Sequence, residues 1–230
     1  MNHLLCGPRR DSVSKMLDAQ IIDFTLQVQG DFQHPRIRKD ADPIGIATRL
    51  AESFGDVLDL QDVTFVSTDE LFGYSLTVPM FKGAGDVVLN PQSLSVTFRT
   101  GRTRQALNFI IDAICKIYGF AVDQPIRQNR VSFNAVASFA ESQSYDGFMK
   151  QFQNPEKGVT AGGIILFASG KTVAGEARLS IEKALGHEKG LFVSAFISTT
   201  EVMGADLFKK LNERFTELTQ SQGLNLTLAA

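Results

Sequence analysis

The sequence predicts an α+β fold made of two similar units, each with the element order β-α-β-β-β-α. Alternating apolar and polar residues recur in several segments, as is typical of half-buried strands. Apolar residues at helical spacing fill one long segment near the end of each half of the chain. Because the same order of segments occurs twice, we expect two pseudo-repeated units, with antiparallel sheets backed by helices.

The first unit begins with a strand at residues 21–30, where Phe24, Leu26 and Val28 alternate with polar residues. Asp42 and Pro43 predict the start of a helix, since aspartate is a favoured N-cap and proline suits the first helical position. Strands are predicted at residues 63–66, 73–78 and 94–99, with turn residues at 82–86. A helix at residues 103–118, with little polar surface, closes this unit and must be covered on more than one side.

The second unit repeats this order after a break at residues 123–125. A strand is predicted at residues 131–137 and a short helix at 144–152. Strands follow at 163–168, 173–181 and 191–198, and an amphipathic helix at 205–221 ends the unit. We therefore divide the chain into a polar lead-in at 1–19, a first half at 20–123 and a second half at 124–230, and expect the halves to share one core.

Composition excludes several classes of protein. The 230 residues carry a net charge of -2, with 43% hydrophobic and 21% charged residues, as is ordinary for a folded soluble domain. A protein that coats nucleic acid is usually clearly basic, so a nucleic-acid partner is disfavoured. The apolar stub at residues 4–6 is too short for a signal-peptide core, and no window resembles a membrane span. The expected location is the cytoplasm.

No catalytic motif is complete in this sequence. The segment at residues 169–172 resembles the end of a phosphate-binding loop, but Ile165 stands where that motif needs glycine, and the residues after it alternate like a strand. It is predicted to be a hairpin turn. The three histidines, His3, His34 and His187, lie in the tail or in loops and are not at metal-ligand spacing.

The acidic side chains are interpreted as a solvated surface. Their spacing between residues 56 and 70 matches no calcium loop. The acidic residues in question are Asp56, Asp59, Asp62, Asp69 and Glu70. We therefore predict no catalytic residue, no cofactor and no metal.

Two cysteines, Cys6 and Cys115, are too few for a disulfide framework or a zinc site. Cys6 lies in the polar lead-in, whereas Cys115 shares the apolar stripe of the helix at 103–118. We predict that Cys115 is a buried, inert thiol and that the two are not bonded to one another.

Two surfaces are candidates for binding. Arg99, Arg102 and Arg104 join a predicted strand to the start of a helix, where free amides and the helix dipole favour an anion or an acidic group of a partner. A second basic segment, at residues 34–39, lacks interleaved aromatic residues and is weak evidence for nucleic acid.

Tyr74, Pro79 and Phe81 belong to a segment predicted to be an edge strand, because proline cannot donate to a sheet ladder. Such an edge is a possible docking site for another chain.

These observations leave three functions open. The first is a non-catalytic protein–protein interaction, by a subunit, adaptor or regulator that binds another protein or a second copy of itself. The second is the binding of a small molecule in a Phe-lined cavity between sheet and helix. The third is the binding of an anion or a nucleic acid through Arg99, Arg102 and Arg104. An internal cavity favours the second function over the first.

Overall fold

The fold is known from a computed structural model that describes residues 16–36, 42–55, 62–68, 70, 73–122, 125–153, 162–169 and 175–229. The described helices are α1 (Pro43–Phe54), α2 (Arg104–Ala121), α3 (Ser142–Lys150) and α4 (Ala205–Gln220). The described strands are β1 (Leu17–Phe32), β2 (Thr64–Ser67), β3 (Tyr74–Met80), β4 (Gly85–Leu89), β5 (Ser93–Gly101), β6 (Ile126–Phe139), β7 (Gly163–Ser169), β8 (Gly175–Lys183), β9 (Gly190–Thr199) and β10 (Leu224–Leu228).

All of the described strands belong to one sheet, in the order β2-β3-β4-β5-β1-β6-β9-β8-β7. Neighbours in this order are antiparallel. β10 runs parallel to the first residues of β1, beside Leu17 to Ile21. The two longest strands, β1 and β6, pair antiparallel at the centre of the sheet. The predicted α+β class is confirmed, with one large antiparallel sheet and four described helices.

The helices cover the apolar face of the sheet. Along β5, Leu94, Val96 and Phe98 are buried and alternate with more exposed polar residues, as a half-buried strand requires. α2 is held to this face by the Tyr118 hydroxyl, which donates to the Leu94 carbonyl oxygen at 3.3 Å. α3 packs there through Phe148, whose ring centroid lies 6.0 Å from that of Phe139. One cluster of buried residues joins both halves of the chain.

Two helix starts follow the capping rules. The Asp42 carboxylate accepts a hydrogen bond from the Gly45 amide at 2.8 Å, and Pro43 occupies the first helical position of α1. This confirms the predicted N-cap. At α2 the Thr103 hydroxyl accepts from the Ala106 amide at 3.1 Å, which satisfies one of the amides that have no partner within the helix.

The structure differs from the prediction in three places. The predicted turn at residues 82–86 is confirmed at residues 82–84, but Gly85 and Asp86 begin β4, which pairs with both β3 and β5. β10 follows α4, where no strand was predicted. β1 begins at Leu17, inside the predicted lead-in at 1–19. The predicted hairpin turn at residues 169–172 extends beyond the described residues, but the strands that flank it, β7 and β8, are antiparallel neighbours.

Candidate functional site

A cavity of about 450 Å³ lies between two helices and the centre of the sheet. Its floor consists of residues from β1, β6, β9 and β10, and its walls are α2 and α4. Ligand pockets in proteins measure about 300–1,000 Å³, so this cavity is large enough for a small molecule.

The floor of the cavity is apolar and aromatic. Ile21 and Leu26 line it and are themselves buried, and Phe208 is buried in the adjoining wall on α4. Phe133 also lines it, and its ring centroid lies 5.4 Å from that of Phe215 on α4, edge to face. The ring of Phe24 lies 5.6 Å from that of Phe133. Aromatic rings at such separations attract one another, which stabilises the packing of Phe133 between Phe24 and Phe215.

The mouth of the cavity is polar. α2 contributes Arg104 and Asn108, and α4 contributes Lys209 and Asn212; all four are exposed. None of the described lining residues is acidic. Each helix therefore supplies one cation and one amide to the opening above an apolar floor.

Helical spacing explains how both helices combine an apolar wall with a polar rim. In α2 the lining residues Leu107, Asn108 and Ile111 lie three, four and seven positions after Arg104, which places all four on one face. The sequence analysis identified only an apolar stripe on this helix, because such a stripe has the same spacing whether it packs on a sheet or lines a cavity.

The three arginines of the predicted anion site lie in different surroundings. Arg99 is on the polar face of the sheet, where its guanidinium donates to the Asp86 carboxylate. Arg102 is exposed beyond the end of β5. Arg104 is on the helical face and lines the cavity, and its amide donates to the Ala229 carbonyl oxygen at 2.8 Å. Arg104 thus shares the lining of the cavity with Lys209, whereas Arg99 does not line it.

The predicted docking edge lies in and after β3. β3 pairs with β4 over Leu76 to Met80 and with β2 over Tyr74 to Thr77, so Pro79 lies past the end of the β2 pairing. Tyr74 is buried. Phe81 follows the strand in a turn, and its ring lies 5.6 Å from Phe98 and 5.5 Å from Phe109. These contacts place Tyr74 and Phe81 against the core.

Among the other polar candidates, none of the described residues lines the cavity. Asp62 and Glu70 are exposed, whereas Asp56, Asp59 and Asp69 lie outside the described residues. In the part of the chain that the structure describes, no group of histidine, cysteine, aspartate and glutamate side chains is arranged to hold a metal ion. Of the basic segment at 34–39, residues 37–39 lie outside the described ranges, while Arg36 is buried and its guanidinium donates to the Ala121 carbonyl oxygen at 3.5 Å.

Cys115 is half-buried on α2, against the core. Burial raises the pKa of its thiol, and the nearby Asp112 carboxylate raises it further. Cys6, which is predicted not to form a disulfide with Cys115, lies outside the described residues. A raised pKa lowers the fraction of reactive thiolate at neutral pH.

We therefore expect iodoacetamide to alkylate Cys115 more slowly than free cysteine at neutral pH. The Cys6→Ser variant leaves Cys115 as the one thiol of the chain, and mass spectrometry measures the rate. In urea the rate should rise to that of free cysteine, which is the control. Equal rates in folded and unfolded protein would show that burial does not protect this thiol.

The sequence matches no known family model, and no curated protein matches it significantly. Among the described helices, none is both long and apolar enough to cross a membrane. The functional argument therefore rests on the geometry of the cavity.

Proposed function

We propose that the protein binds a small, largely apolar molecule in the cavity between α2, α4 and the centre of the sheet. The observation that carries this proposal is the cavity of about 450 Å³ itself. Removing apolar surface from water is favourable, by about 25 cal/mol per Å². A ligand in this cavity would shield the apolar lining from solvent and add dispersion contacts along Phe133, Phe208 and Leu26.

A neutral fluorescent dye such as Nile red tests this proposal. The dye should bind saturably with one site per chain, and its emission should shift to the blue, because the floor of the cavity is apolar. Absence of saturable binding would contradict the proposal.

Protein–protein interaction is a second candidate, and it is favoured by the edge strand β7. β7 lies at the end of the described strand order, and none of its residues is charged. Ile165 is 61% exposed and Phe167 is 80% exposed. Natural edge strands are commonly protected by charge or proline, so an uncharged, apolar edge favours pairing. We propose that β7 pairs with β7 of a second copy, because a twofold axis can bring two identical edges together antiparallel.

Light scattering after size-exclusion chromatography tests this pairing. The wild-type chain should be dimeric at high concentration, and Ile165→Lys should make it monomeric by placing a charge in the paired edge. Val66→Lys is the matched control, because Val66 is 57% exposed on β2 at the opposite edge. A wild-type chain that is monomeric at all concentrations, or equal effects of both variants, would contradict the dimer.

We also propose that the two halves of the chain are pseudo-repeats that share one core. In this correspondence β1 matches β6, β5 matches β9 and α2 matches α4, while β2 and β10 have no counterpart. Two observations support this proposal. β5 and β9 flank the central pair β1 and β6, and each of them is followed by a helix, α2 after β5 and α4 after β9. The cavity would then lie between two equivalent helices, each of which supplies one cation and one amide to the mouth.

A further inference from the structure

Among the described residues, no carboxylate forms an ion pair with Arg104 or Lys209 at the mouth of the cavity, and none lines the cavity. Lys210, next along α4, does pair with Glu201, with its Nζ 2.6 Å from a carboxylate oxygen. Arg214 pairs with Glu217 at 2.9 Å on the same helix. Within the described part of the chain, Lys210 and Arg214 of α4 thus have ion-pair partners, whereas Lys209 has none.

We infer that the ligand is an amphipathic anion, an apolar chain with a carboxylate or phosphate head held between Arg104 and Lys209. This inference rests on the proposed function, because it assigns a charge to the occupant of the same cavity. The apolar chain would lie along Phe133 and Phe208, and the head would remain at the polar mouth. Both heads share the chemistry that the two cations recognise, namely oxygens that carry negative charge.

Two further features at the mouth suit an anion. Arg104 is the first residue of α2, so the positive end of the helix dipole adds to the charge of its side chain. Asn108 and Asn212 carry amide groups that can donate hydrogen bonds to the same oxygens. The net charge of the whole chain is -2, so a preference for anions must come from these local groups and not from general attraction.

The volume of the cavity limits the length of the chain that it can hold. A volume of about 450 Å³ corresponds to about 15 water molecules at roughly 30 Å³ each. Dodecanoate has a similar number of non-hydrogen atoms, and dodecanol, dodecyl phosphate and dodecyltrimethylammonium differ from it chiefly in the head. These four compounds separate the contribution of the charge from that of the apolar chain.

Displacement of bound Nile red by the four compounds tests the inference. Dodecanoate or dodecyl phosphate should displace the dye at a concentration about tenfold lower than dodecanol, as expected for a charge-assisted contact at an exposed mouth. Dodecyltrimethylammonium, the cationic compound, should displace the dye least effectively. The preference for the anions over dodecanol should decrease as salt is added, because the mouth is open to solvent. Whichever anion binds more tightly identifies the head.

Variants locate the source of the preference. In the double variant Arg104→Gln/Lys209→Gln, the affinity for dodecanoate should fall to that for dodecanol. The affinity for dodecanol should stay the same as in the wild-type protein. Arg102→Gln/Lys116→Gln removes the same charge at exposed positions that do not line the cavity, and it should keep the preference.

The outcomes separate the inference from the proposed function. If neither dodecanoate nor dodecyl phosphate displaces the dye from the wild-type protein at a lower concentration than dodecanol, the anion is wrong but the cavity still binds apolar molecules. A preference that persists in Arg104→Gln/Lys209→Gln also overturns the inference. If Nile red does not bind at all, the proposed function fails with it.

Discussion

Replacing Phe24 by alanine is expected to lower the free energy of unfolding by about 3–5 kcal/mol, the usual cost of truncating a buried phenylalanine. Phe24 is 2% exposed and lies on the central strand β1, where its ring packs against Phe133. The truncation leaves a cavity in a part of the core shared by both halves. For a chain of this size the melting temperature should fall by about 6–20 °C. Urea denaturation followed by circular dichroism measures the change.

Phe167→Ala is the matched control for this variant. Phe167 is 80% exposed on β7, so the same truncation should change the unfolding free energy by about 0.5 kcal/mol or less. Both variants should be compared at low protein concentration, where association through β7 does not contribute. Equal destabilisation by the two truncations would contradict the placement of Phe24 in the core.

Replacing Ala195 by phenylalanine is expected to lower the affinity for Nile red by more than about tenfold, because the new ring occupies the space of the ligand. Ala195 is half-buried on β9, beside Phe133, and lines the floor of the cavity. Overpacking a filled core costs about 1–3 kcal/mol, but here the ring enters open space, so the cost in stability should be smaller. Dye titration and thermal unfolding measure the two effects.

Two further variants make this result specific. Ser194→Phe adds the same ring one residue earlier on β9, where the side chain points to the opposite face of the sheet, and it should leave dye binding unchanged. Ala205→Phe adds a ring at the exposed mouth, where no core residue must move, and it should also weaken binding. Normal binding by both cavity variants would show that the dye binds elsewhere.

Local patterns in the sequence predicted much of the fold. Alternation identified β1 and β5, and Asp42 with Pro43 identified the start of α1. The residues Leu224, Leu226 and Leu228 alternate just as clearly, so β10 could have been predicted from the sequence. β4 could not be predicted with the same ease, because Gly85 and Asp86 favour turns and only pairing with β3 and β5 makes them part of a strand.

The site was less accessible to sequence analysis, because it depends on contacts between distant segments. Arg99 and Arg104 are close in sequence, but the strand and the helix that carry them place their side chains on different faces of the molecule. Lys209, which shares the cavity mouth with Arg104, comes from the other half of the chain. The wide apolar stripe of α2 was the available signal. It indicated that the helix is covered on more than one side but did not distinguish a packed core from a cavity.

A crystal of the protein with dodecanoate brominated at its terminal carbon tests the central claim most directly. Anomalous scattering from bromine reveals the end of the apolar chain without any assumption about where the ligand binds. The account predicts one bromine site per chain on the floor of the cavity, beside Phe133 and Phe215, with the carboxylate near Arg104 and Lys209. A bromine site outside the cavity, with the space between α2 and α4 unfilled, would contradict it.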